Sequence, residues 1–248
     1  MEISSRKNPE IKRIYSLRDK KYRDEAGLYL IEGEKSVKEA IKYGVEIVKI
    51  VGTEEKLLPY VNRGYDLLTV KKDIADYVSD SKTPQGIVAV AKKPYNRLTS
   101  PIFNAVLLDG VQDPGNVGTI IRTAVALGVR DIYTVSCADP YAPKTVRASM
   151  SGIFNVEIHD GSYDEVLSCL KSVPILSGDM SGENVFTYRP PERFCLAIGS
   201  EGNGLSKEVK KASRQTVKIP MSDKMESLNA GVSASILLYQ LNFNQKGE

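Results

Sequence analysis

Short apolar runs alternate with amphipathic segments along most of this chain. The part before residue 94 contains three predicted helices and three predicted strands: helices over residues 9–17, 35–42 and 54–60, and strands over 28–32, 47–51 and 87–91. A stretch rich in proline and small polar residues follows at 94–101. Beyond it, strands and helices succeed one another with little interruption, which favours a mainly parallel, doubly wound sheet. The pattern predicts two α/β domains, over residues 1–95 and 102–248.

Three polar, glycine-bearing loops in the second domain follow predicted strands. Two of the strands are the apolar runs 105–108 and 195–198, and the third is 215–219, which stops at Pro220 because proline has no N–H. Each loop runs into a helical pattern, the last of which is made of small residues. The carboxyl ends of strands in an open α/β sheet are where ligands bind. We therefore expect one composite site built from the three loops.

The helix after the first loop carries one side chain that its apolar stripe does not explain. Val117, Ile120 and Ile121 share a stripe, whereas Arg122 projects well away from it. An arginine in such a position is usually a solvated residue. The preceding Asp-Pro-Gly-Asn turn, in which Asp113 or Asn116 is suited to cap the helix, fixes the helix at a strand end and makes Arg122 a candidate for chemistry.

Composition sets limits on the class of protein. The chain has 248 residues, of which 42% are hydrophobic and 26% charged, as expected for a globular protein. No apolar run approaches a membrane span and the first residues show no hydrophobic stretch for export, so we expect a cytoplasmic location and no membrane partner. Three separated cysteines indicate buried free thiols. With His159 as the single histidine, we expect no metal site, and His159 is expected to be a surface or hydrogen-bonded residue.

Positive charge is concentrated near the N-terminus. The net charge is only +3, yet segment 6–23 holds eight cations against two acids. Such an excess suits a phosphate backbone, although a solvated helix face is an alternative interpretation. Tyr15 and Tyr22 lie among these charges and could stack on bases or pack inward. The predicted RNA-binding residues are Arg6, Lys7, Lys12, Arg13, Arg18, Lys20, Lys21 and Arg23.

The three loops resemble the three motifs of the SpoU (TrmH-like) branch of the SPOUT superfamily, RNA ribose 2′-O-methyltransferases that use S-adenosylmethionine. Residues 116–122 match the first motif, 199–204 the second, and 219–221 with 227–229 the third. The match covers residues 104–243. The basic N-terminal module is similar to the substrate-binding domain, related to ribosomal protein L30e, that many members carry.

This resemblance implies the fold and the way the cofactor is bound. It implies a C-terminal trefoil knot beside a smaller L30e-like domain, and a homodimer formed through the C-terminal domain. The final helix, which is apolar on most sides, independently suggests a subunit interface. The resemblance also implies that S-adenosylmethionine is held largely by the backbone of Ser177, Gly178, Ile198, Gly199, Ile219, Met221 and Leu228.

The resemblance likewise assigns catalytic roles. Because arginine stays protonated at neutral pH, Arg122 is expected to position a phosphate and stabilise alkoxide character. Asn116 would orient Arg122 or the ribose. Glu201 would hold the loop or assist proton removal, although a carboxylate at a helix N-terminus is an alternative interpretation. Ser227 and Asn229 would line the nucleotide pocket.

The sequence thus predicts ribose 2′-O-methylation of RNA, with 23S ribosomal RNA favoured over transfer RNA because the N-terminal module resembles those of ribosomal RNA modifying members. A non-catalytic RNA-binding or ribosome-assembly factor with the same fold is an alternative. A nicotinamide-dependent oxidoreductase is a third interpretation. It requires Gly-x-Gly-x-x-Gly, whereas residues 199–204 read Gly-x-x-Gly-x-Gly.

Overall fold

The computed structural model describes residues 2–95, 97–225 and 227–246, which divide into two compact units. The first unit contains the described residues up to 95 together with segment 141–154. The second contains residues 97–140, 155–225 and 227–246. The domains predicted from the sequence, 1–95 and 102–248, place segment 141–154 in the second domain. In the structure this segment, which lies between two strands of the second unit in sequence, belongs to the first unit.

The first unit is built on a four-stranded sheet with the order β1-β4-β2-β3. β4 is antiparallel to both β1 and β2, and β3 is parallel to β2. The strands are β1 Leu28–Glu32, β2 Ile47–Gly52, β3 Leu67–Thr69 and β4 Ile87–Lys92. The helices are α1 Pro9–Ser16, α2 Lys20–Ala26, α3 Glu34–Lys42, α4 Glu54–Leu57, which continues as a 3₁₀ turn at Leu58–Tyr60, and α5 Lys72–Val78.

Helix α1 shows how local sequence sets these elements. The Asn8 side chain accepts hydrogen bonds from the backbone N–H groups of Glu10 and Ile11, and Pro9 occupies the first helical turn. Ile11 and Ile14 are buried in a core that also contains residues of β1, β2, β4 and α5. The helix therefore presents its charged residues on the opposite side.

Segment 141–154 belongs to the first unit through packing and charge. It contains α7 Pro143–Ala148 and the start of a 3₁₀ turn at Gly152–Asn155. Arg147 donates to Glu32 at 2.7 Å and to Asp80 at 3.0 Å, and Glu32 is buried. The Tyr141 ring meets Tyr29 edge to face at 5.1 Å. Because a buried carboxylate needs a partner, the Arg147 contact ties this segment to the unit.

The second unit contains a six-stranded sheet with the order β10-β8-β9-β5-β6-β7. Every neighbouring pair is parallel. Its strands are β5 Ala105–Asp109, β6 Asp131–Val135, β7 Glu157–Asp160, β8 Ile175–Asn184, β9 Cys195–Gly199 and β10 Gln215–Lys218. Its helices are α6 Pro114–Ala126, α8 Tyr163–Cys169, α9 Lys207–Ala212 and α10 Ala230–Lys246.

Helices cover the sheet and bury its strands. One core cluster joins β5, β6, β8 and β9 to α8 and α9. Helix α6 buries Val117, Ile120 and Ile121, and it packs along α10 through a hydrogen bond of 2.9 Å between Thr123 and Ser235. The expected α/β class with a parallel sheet is confirmed. In the described part of the chain, no helix combines the length and hydrophobicity that crossing a bilayer requires.

Candidate active site

Three loops of the second unit, two of them bearing glycine, begin at strand ends of the six-stranded sheet. β5 lies beside β9, β9 beside β8, and β8 beside β10, all in parallel. The loops that follow β5, β9 and β10 therefore leave the same edge of the sheet. The structure brings together the parts of the composite site that the sequence predicts.

The middle of β8 bulges out of its ladder with β10. Thr216 lies opposite Ser177, but the next residue, Val217, lies opposite Glu183. A Cβ on Gly182 would lie 2.6 Å from the backbone of Thr216 and Val217, so no larger residue fits beside β10 there. Residues 178–181, between the two paired parts of β8, consequently leave the ladder and form a wall.

A cleft of about 190 Å³ lies against this wall. Its other sides come from the end of β9, the end of β10 and the start of α10. The lining consists of apolar side chains, glycine backbone and a few polar groups: Gly178, Asp179, Met180, Ile198, Gly199, Ser200, Glu201, Gly204, Val217, Lys218, Ile219, Met221, Ser227, Leu228, Ala230, Ser233 and Leu237. Such a mixture is typical of a small-molecule site.

Asp179 supplies negative charge to the cleft lining. Its carboxylate accepts hydrogen bonds from the backbone N–H and the hydroxyl of Ser181, at 3.0 and 2.8 Å. The backbone hydrogen bond from Ser181, together with its hydroxyl and the charge of Lys210, lowers the pKa of Asp179 below its usual value. The ionised carboxylate suits a ligand that carries positive charge.

The loop after β9 folds back tightly on itself. Ser200 and Gly204 exchange two backbone hydrogen bonds, at 3.1 and 2.9 Å, and Gly204 has a φ of +64°. A Cβ on Gly199 would lie only 2.2 Å from the carbonyl carbon of Gly204, which no side chain tolerates. Glycine at 199 is therefore required by the turn itself.

Glu201 extends from this loop to the start of α6. Its carboxylate accepts a hydrogen bond from the side-chain amide of Asn116, which is buried at the helix start. Asp113 caps α6 by accepting from the Asn116 backbone N–H at 3.0 Å. Helix α9 begins later and is capped by Ser206. The interpretation of Glu201 as a helix N-terminal carboxylate is therefore wrong.

The start of α10 meets the same group of side chains. Asn229 accepts hydrogen bonds from the backbone N–H groups of Gly231 and Val232, at 3.0 and 3.3 Å, and so caps the helix. A Cβ on Gly231 would lie 3.2 Å from Thr119 and 3.3 Å from Asn116 Oδ1. The small residue thus lets α10 approach α6 beside Asn116 and Asn229.

A model of the SpoU rRNA Methylase family matches residues 104–239, and a model of the MRM3-like substrate binding domain matches residues 8–89. The chain belongs to the SpoU rRNA methylase family. The resemblance read from the three motifs is thereby confirmed.

Relatives match the chain over nearly its whole length. The 23S rRNA (guanosine(2553)-2′-O)-methyltransferase of Bacillus subtilis is 31% identical, over 97% of this chain and 98% of its own. The crystal structure of an S-adenosylmethionine-bound rRNA methyltransferase from Sinorhizobium meliloti is 30% identical, with a TM-score of 0.89 over 98% and 97% of the two chains. The SpoU methyltransferase AviRb from Streptomyces viridochromogenes, also bound to this cofactor, gives a TM-score of 0.89 at 26% identity, over 97% and 99%.

Six of the seven residues predicted to hold the cofactor in this SpoU family member line the cleft: Gly178, Ile198, Gly199, Ile219, Met221 and Leu228. Ser177 does not. It is buried, and its hydroxyl lies 3.0 Å from the Thr216 hydroxyl and donates to the Gln215 carbonyl. The motifs give no signal for Asp179, Lys218 or Leu237, because these residues join the cleft through the β8 bulge and the packing of α10.

The predicted catalytic residues are brought together in part. Glu201 and Ser227 line the cleft, and Asn116 and Asn229 both lie beside Gly231. Arg122 is exposed on α6 and is absent from the cleft lining that the described residues form. Its side chain points to solvent from the side of α6 opposite its buried stripe, as its position in the sequence predicts.

The structure corrects the set of predicted RNA-binding residues. Arg23 is only 2% exposed and donates to the Leu17 carbonyl at 2.8 Å, so it cannot meet a phosphate. Arg18 is half-buried, bonded to Asp80 at 3.0 Å and stacked over the Tyr15 ring. Tyr15 itself stacks on Tyr77 at 4.4 Å. The exposed members of the set are Arg6, Lys7, Lys12, Arg13, Lys20 and Lys21.

His159 is buried at the edge of the second sheet. Its ring stacks on Tyr133, with Nδ1 2.6 Å from the Arg97 carbonyl and Nε2 2.9 Å from the Asp131 carboxylate. Asp131, Glu157 and His159 could together offer ligand atoms to a metal ion. Both ring nitrogens face oxygen atoms at hydrogen-bonding distance, so the ring is hydrogen-bonded on both sides. The histidine is therefore satisfied, as expected, but it is not at the surface.

The cysteines are unpaired, as expected, but only one of them is fully buried. Cys195 lies in the core, whereas Cys137 and Cys169 are partly exposed. Burial raises the pKa of the Cys137 thiol to about 11, despite hydrogen bonds to backbone groups that lower it. This thiol is therefore protonated at neutral pH and is a poor nucleophile.

Proposed function

We propose that this protein transfers the methyl group of S-adenosylmethionine to a ribose 2′-hydroxyl of large-subunit ribosomal RNA. The observation that carries the proposal is the cleft at the strand ends, with the Asn116–Glu201 pair at its edge. In this reaction the 2′-oxygen forms a bond to the methyl carbon as the carbon–sulfur bond breaks, and the hydroxyl proton leaves. The products are a methyl ether and a neutral thioether.

The cleft suits the methyl donor in the polarity and charge of its lining. Ile198, Ile219 and Leu228 supply an apolar surface for an adenine ring, and glycine backbone allows close approach. The ionised Asp179 complements the positive charges of the cofactor's α-ammonium and sulfonium groups. When bound, the cofactor supplies an electrophilic methyl group. The protein's residues then have to orient the ribose and accommodate the departing proton.

Asn116, Glu201, Ser227 and Asn229 are proposed to orient that ribose. Glu201 and Ser227 line the cleft, the bond from Asn116 fixes the Glu201 carboxylate, and Asn229 lies with Asn116 beside Gly231. A fixed acceptor beside the reacting hydroxyl reduces the reorganisation needed during reaction. Glu201 can therefore hold the 2′-hydroxyl or receive its proton.

Arg122 is proposed to act across a homodimer. It is exposed and does not line the cleft that the described residues of its own chain form, yet its guanidinium is suited to a phosphodiester beside the ribose. Helix α10 buries Ala234 and Leu238 within its own unit but exposes Val232 and Tyr239, at 45% and 61%. An apolar face of this kind favours association, which would bring the Arg122 of one subunit to the cleft of the other.

Two further features of the fold belong to the same proposal. The first unit, with exposed cations at Lys12, Arg13 and Lys20, is proposed to be an L30e-like module that contacts RNA phosphates. The second unit is proposed to be a trefoil knot. In support, β10 returns beside β8, and α10 then packs against α6 on the chain that precedes both strands. An experimental structure traced through residues 175–246 tests the knot.

Ribosomal RNA is favoured as the substrate class because the Bacillus and Sinorhizobium relatives, both named rRNA methyltransferases, match this chain across both units.

The test is to incubate the protein and labelled S-adenosylmethionine with ribosomal RNA, and separately with transfer RNA, from a strain that lacks the corresponding gene. We expect one ribose in large-subunit RNA to acquire the label. Labelling of transfer RNA alone would reassign the substrate. Cofactor binding with no labelling of either RNA would favour the non-catalytic factor.

A further inference from the structure

A second cleft, of about 440 Å³, lies on the other side of the loop after β9. It is separate from the cofactor cleft but shares Ser200, Glu201 and Gly204 with it. Its remaining walls come from the ends of β5 and β6 and from the start of α8. Its volume is within the range of pockets that hold small organic groups.

The floor of this cleft is held rigidly. Asp109 is 2% exposed, and its two carboxylate oxygens accept hydrogen bonds from the Tyr163 hydroxyl at 2.9 Å and the Ser206 backbone N–H at 2.6 Å. These bonds join β5, α8 and the loop before α9. A cleft with such fixed walls is preorganised for a ligand.

Gln112 supplies an oriented polar group to the same cleft. Its side-chain Nε2 donates to the Ser136 carbonyl at 2.5 Å. Because a carbonyl can only accept, this contact fixes which end of the carboxamide is nitrogen. The Oε1 atom is therefore left as an acceptor, and no partner for it is found among the described residues. Tyr163 and the exposed Asn203 complete the polar and aromatic lining.

We propose that this second cleft, the base pocket, receives the base of the nucleotide whose ribose is methylated. The inference rests on the proposed function. In a nucleotide, C1′ carries the base and is bonded to C2′, which carries the reacting hydroxyl. A ribose placed at Glu201 with its 2′-hydroxyl toward the cofactor cleft must therefore place its base close by, and the base pocket shares Glu201 as a wall.

The chemistry of the base pocket indicates which bases it accepts. Enzymes that act on one nucleotide take its base out of the stack and read it by hydrogen bonds and aromatic contact. The Gln112 Oε1 atom accepts from an exocyclic amino group, which adenine, guanine and cytosine have. Uracil offers it only the ring N3–H, which lies between two carbonyl oxygens that repel a further acceptor. The pocket therefore selects a base with an amino group over uracil.

The experiment uses the full-length protein and a short RNA hairpin that carries the methylated position, once it has been mapped in ribosomal RNA. Four hairpins differ only in the base at that position, and kcat/KM is measured on each with wild-type protein, Gln112→Ala and Gln215→Ala. Gln215 is a matched control because its side chain donates to Glu183 at 3.3 Å and lines neither cleft. Calorimetry with S-adenosylmethionine reports whether each variant keeps its cofactor cleft.

We expect the wild type and Gln215→Ala to prefer the hairpins with an amino-bearing base. We expect Gln112→Ala to lose roughly 10- to 100-fold in kcat/KM on the preferred hairpin and to discriminate against uridine by less than about threefold, with unchanged cofactor affinity. A wild type that prefers uridine, or a Gln112→Ala variant with wild-type preference, would overturn the base pocket while leaving methyl transfer intact. Loss of cofactor binding in Gln112→Ala would also overturn it, since the residue would then be structural. A wild type that methylates no RNA would instead refute the proposed function.

Discussion

The cofactor cleft and the basic segment 6–23 are built in opposite ways. The cleft is formed largely by backbone, at positions where Gly182 and Gly199 allow chain segments to approach. The basic segment acts through side chains, and the guanidinium groups of two of its eight cations, Arg18 and Arg23, are already hydrogen-bonded within the protein. A site formed by backbone requires glycine at particular positions, so it can be predicted from the glycines in the sequence. The role of a charged side chain depends on the direction in which it points.

The largest effect should follow from placing a methyl group at Gly199. In Gly199→Ala the new Cβ would lie 2.2 to 2.5 Å from the backbone of Gly204 and Leu205, so the loop has to open. We expect S-adenosylmethionine affinity to fall by about 100-fold or more, measured by calorimetry. The control is Gly202→Ala in the same loop, where a Cβ meets nothing within 4 Å. Equal affinity in the two variants would mean that backbone geometry does not define the cleft.

Arg122 tests whether a side chain outside the cleft completes the site. We expect Arg122→Ala to lower kcat by roughly 100- to 1,000-fold while cofactor affinity stays within about twofold, because the cleft lining does not include this residue. Arg122→Lys should restore little, since lysine lacks the planar donor fork. Near-normal turnover in Arg122→Ala would refute the assignment.

Mixing two inactive variants shows which subunit supplies Arg122. If Arg122 acts across the dimer, a heterodimer of Arg122→Ala with Gly199→Ala has one intact site. Random exchange of subunits should then restore about a quarter of wild-type activity. If the residue acts within its own subunit, the mixture stays inactive, and the proposed sharing of the site is wrong.

A smaller effect is expected from the basic segment, and it separates exposed cations from buried ones. Replacing Lys7, Lys12 and Lys20 with alanine should weaken RNA binding. The slope of log K against log salt, which is negative, should become less steep by about 0.7 to 0.9 for each phosphate that is no longer neutralised. These side chains are exposed, so the free energy of unfolding should hardly change.

Arg23→Ala is the matched comparison. Its guanidinium is buried against the Leu17 carbonyl, so we expect the free energy of unfolding to fall by about 1 to 3 kcal/mol without a change in the salt slope. Denaturant unfolding and RNA binding at several salt concentrations distinguish the two cases. If the salt slope is unchanged in the triple variant, the exposed lysines do not contact phosphates and form only a solvated helix face.

Much of the fold follows from the sequence because apolar periodicity reports burial directly. The predicted strands at 28–32, 105–108 and 195–198 correspond to β1, β5 and β9, with at most one residue added at an end. The β8 bulge does not follow, since it depends on a change of register that only pairing with β10 reveals. The assignment of segment 141–154 to the first unit could not be predicted from the sequence either, because the partners of Arg147 lie far away in sequence.

The candidate site shows the same limit. The motif glycines, Glu201 and Asn229 can be predicted because each belongs to a loop that follows a strand. Gln112 and Tyr163 cannot, because they meet only when the ends of β5 and β6 and the start of α8 come together. The burial of Arg23 likewise depends on the path of the chain around Leu17, and the number of charges in the segment does not predict that path.

The smallest expected effect concerns His159, whose imidazole ring has hydrogen-bond partners on both sides. Burial opposes its charged form, but the hydrogen bond to Asp131, the hydrogen bond to the Arg97 carbonyl and the charges of Asp131 and Glu157 outweigh burial and raise the pKa of His159 above its usual value. Both ring nitrogens face acceptors, so both can donate only when the ring is protonated.

A raised pKa in the folded state means that protonation of His159 stabilises the fold. This contribution is fully present below the unfolded pKa of about 6.5 and is lost as pH rises through the higher folded value. We expect the urea midpoint of the wild type to fall across this window, relative to a His159→Phe variant that keeps an aromatic ring against Tyr133. Parallel pH profiles for the two proteins would show that the imidazolium contributes nothing. In that case protonation of the buried His159 would contribute as little to the free energy of unfolding as the exposed lysines of the basic segment.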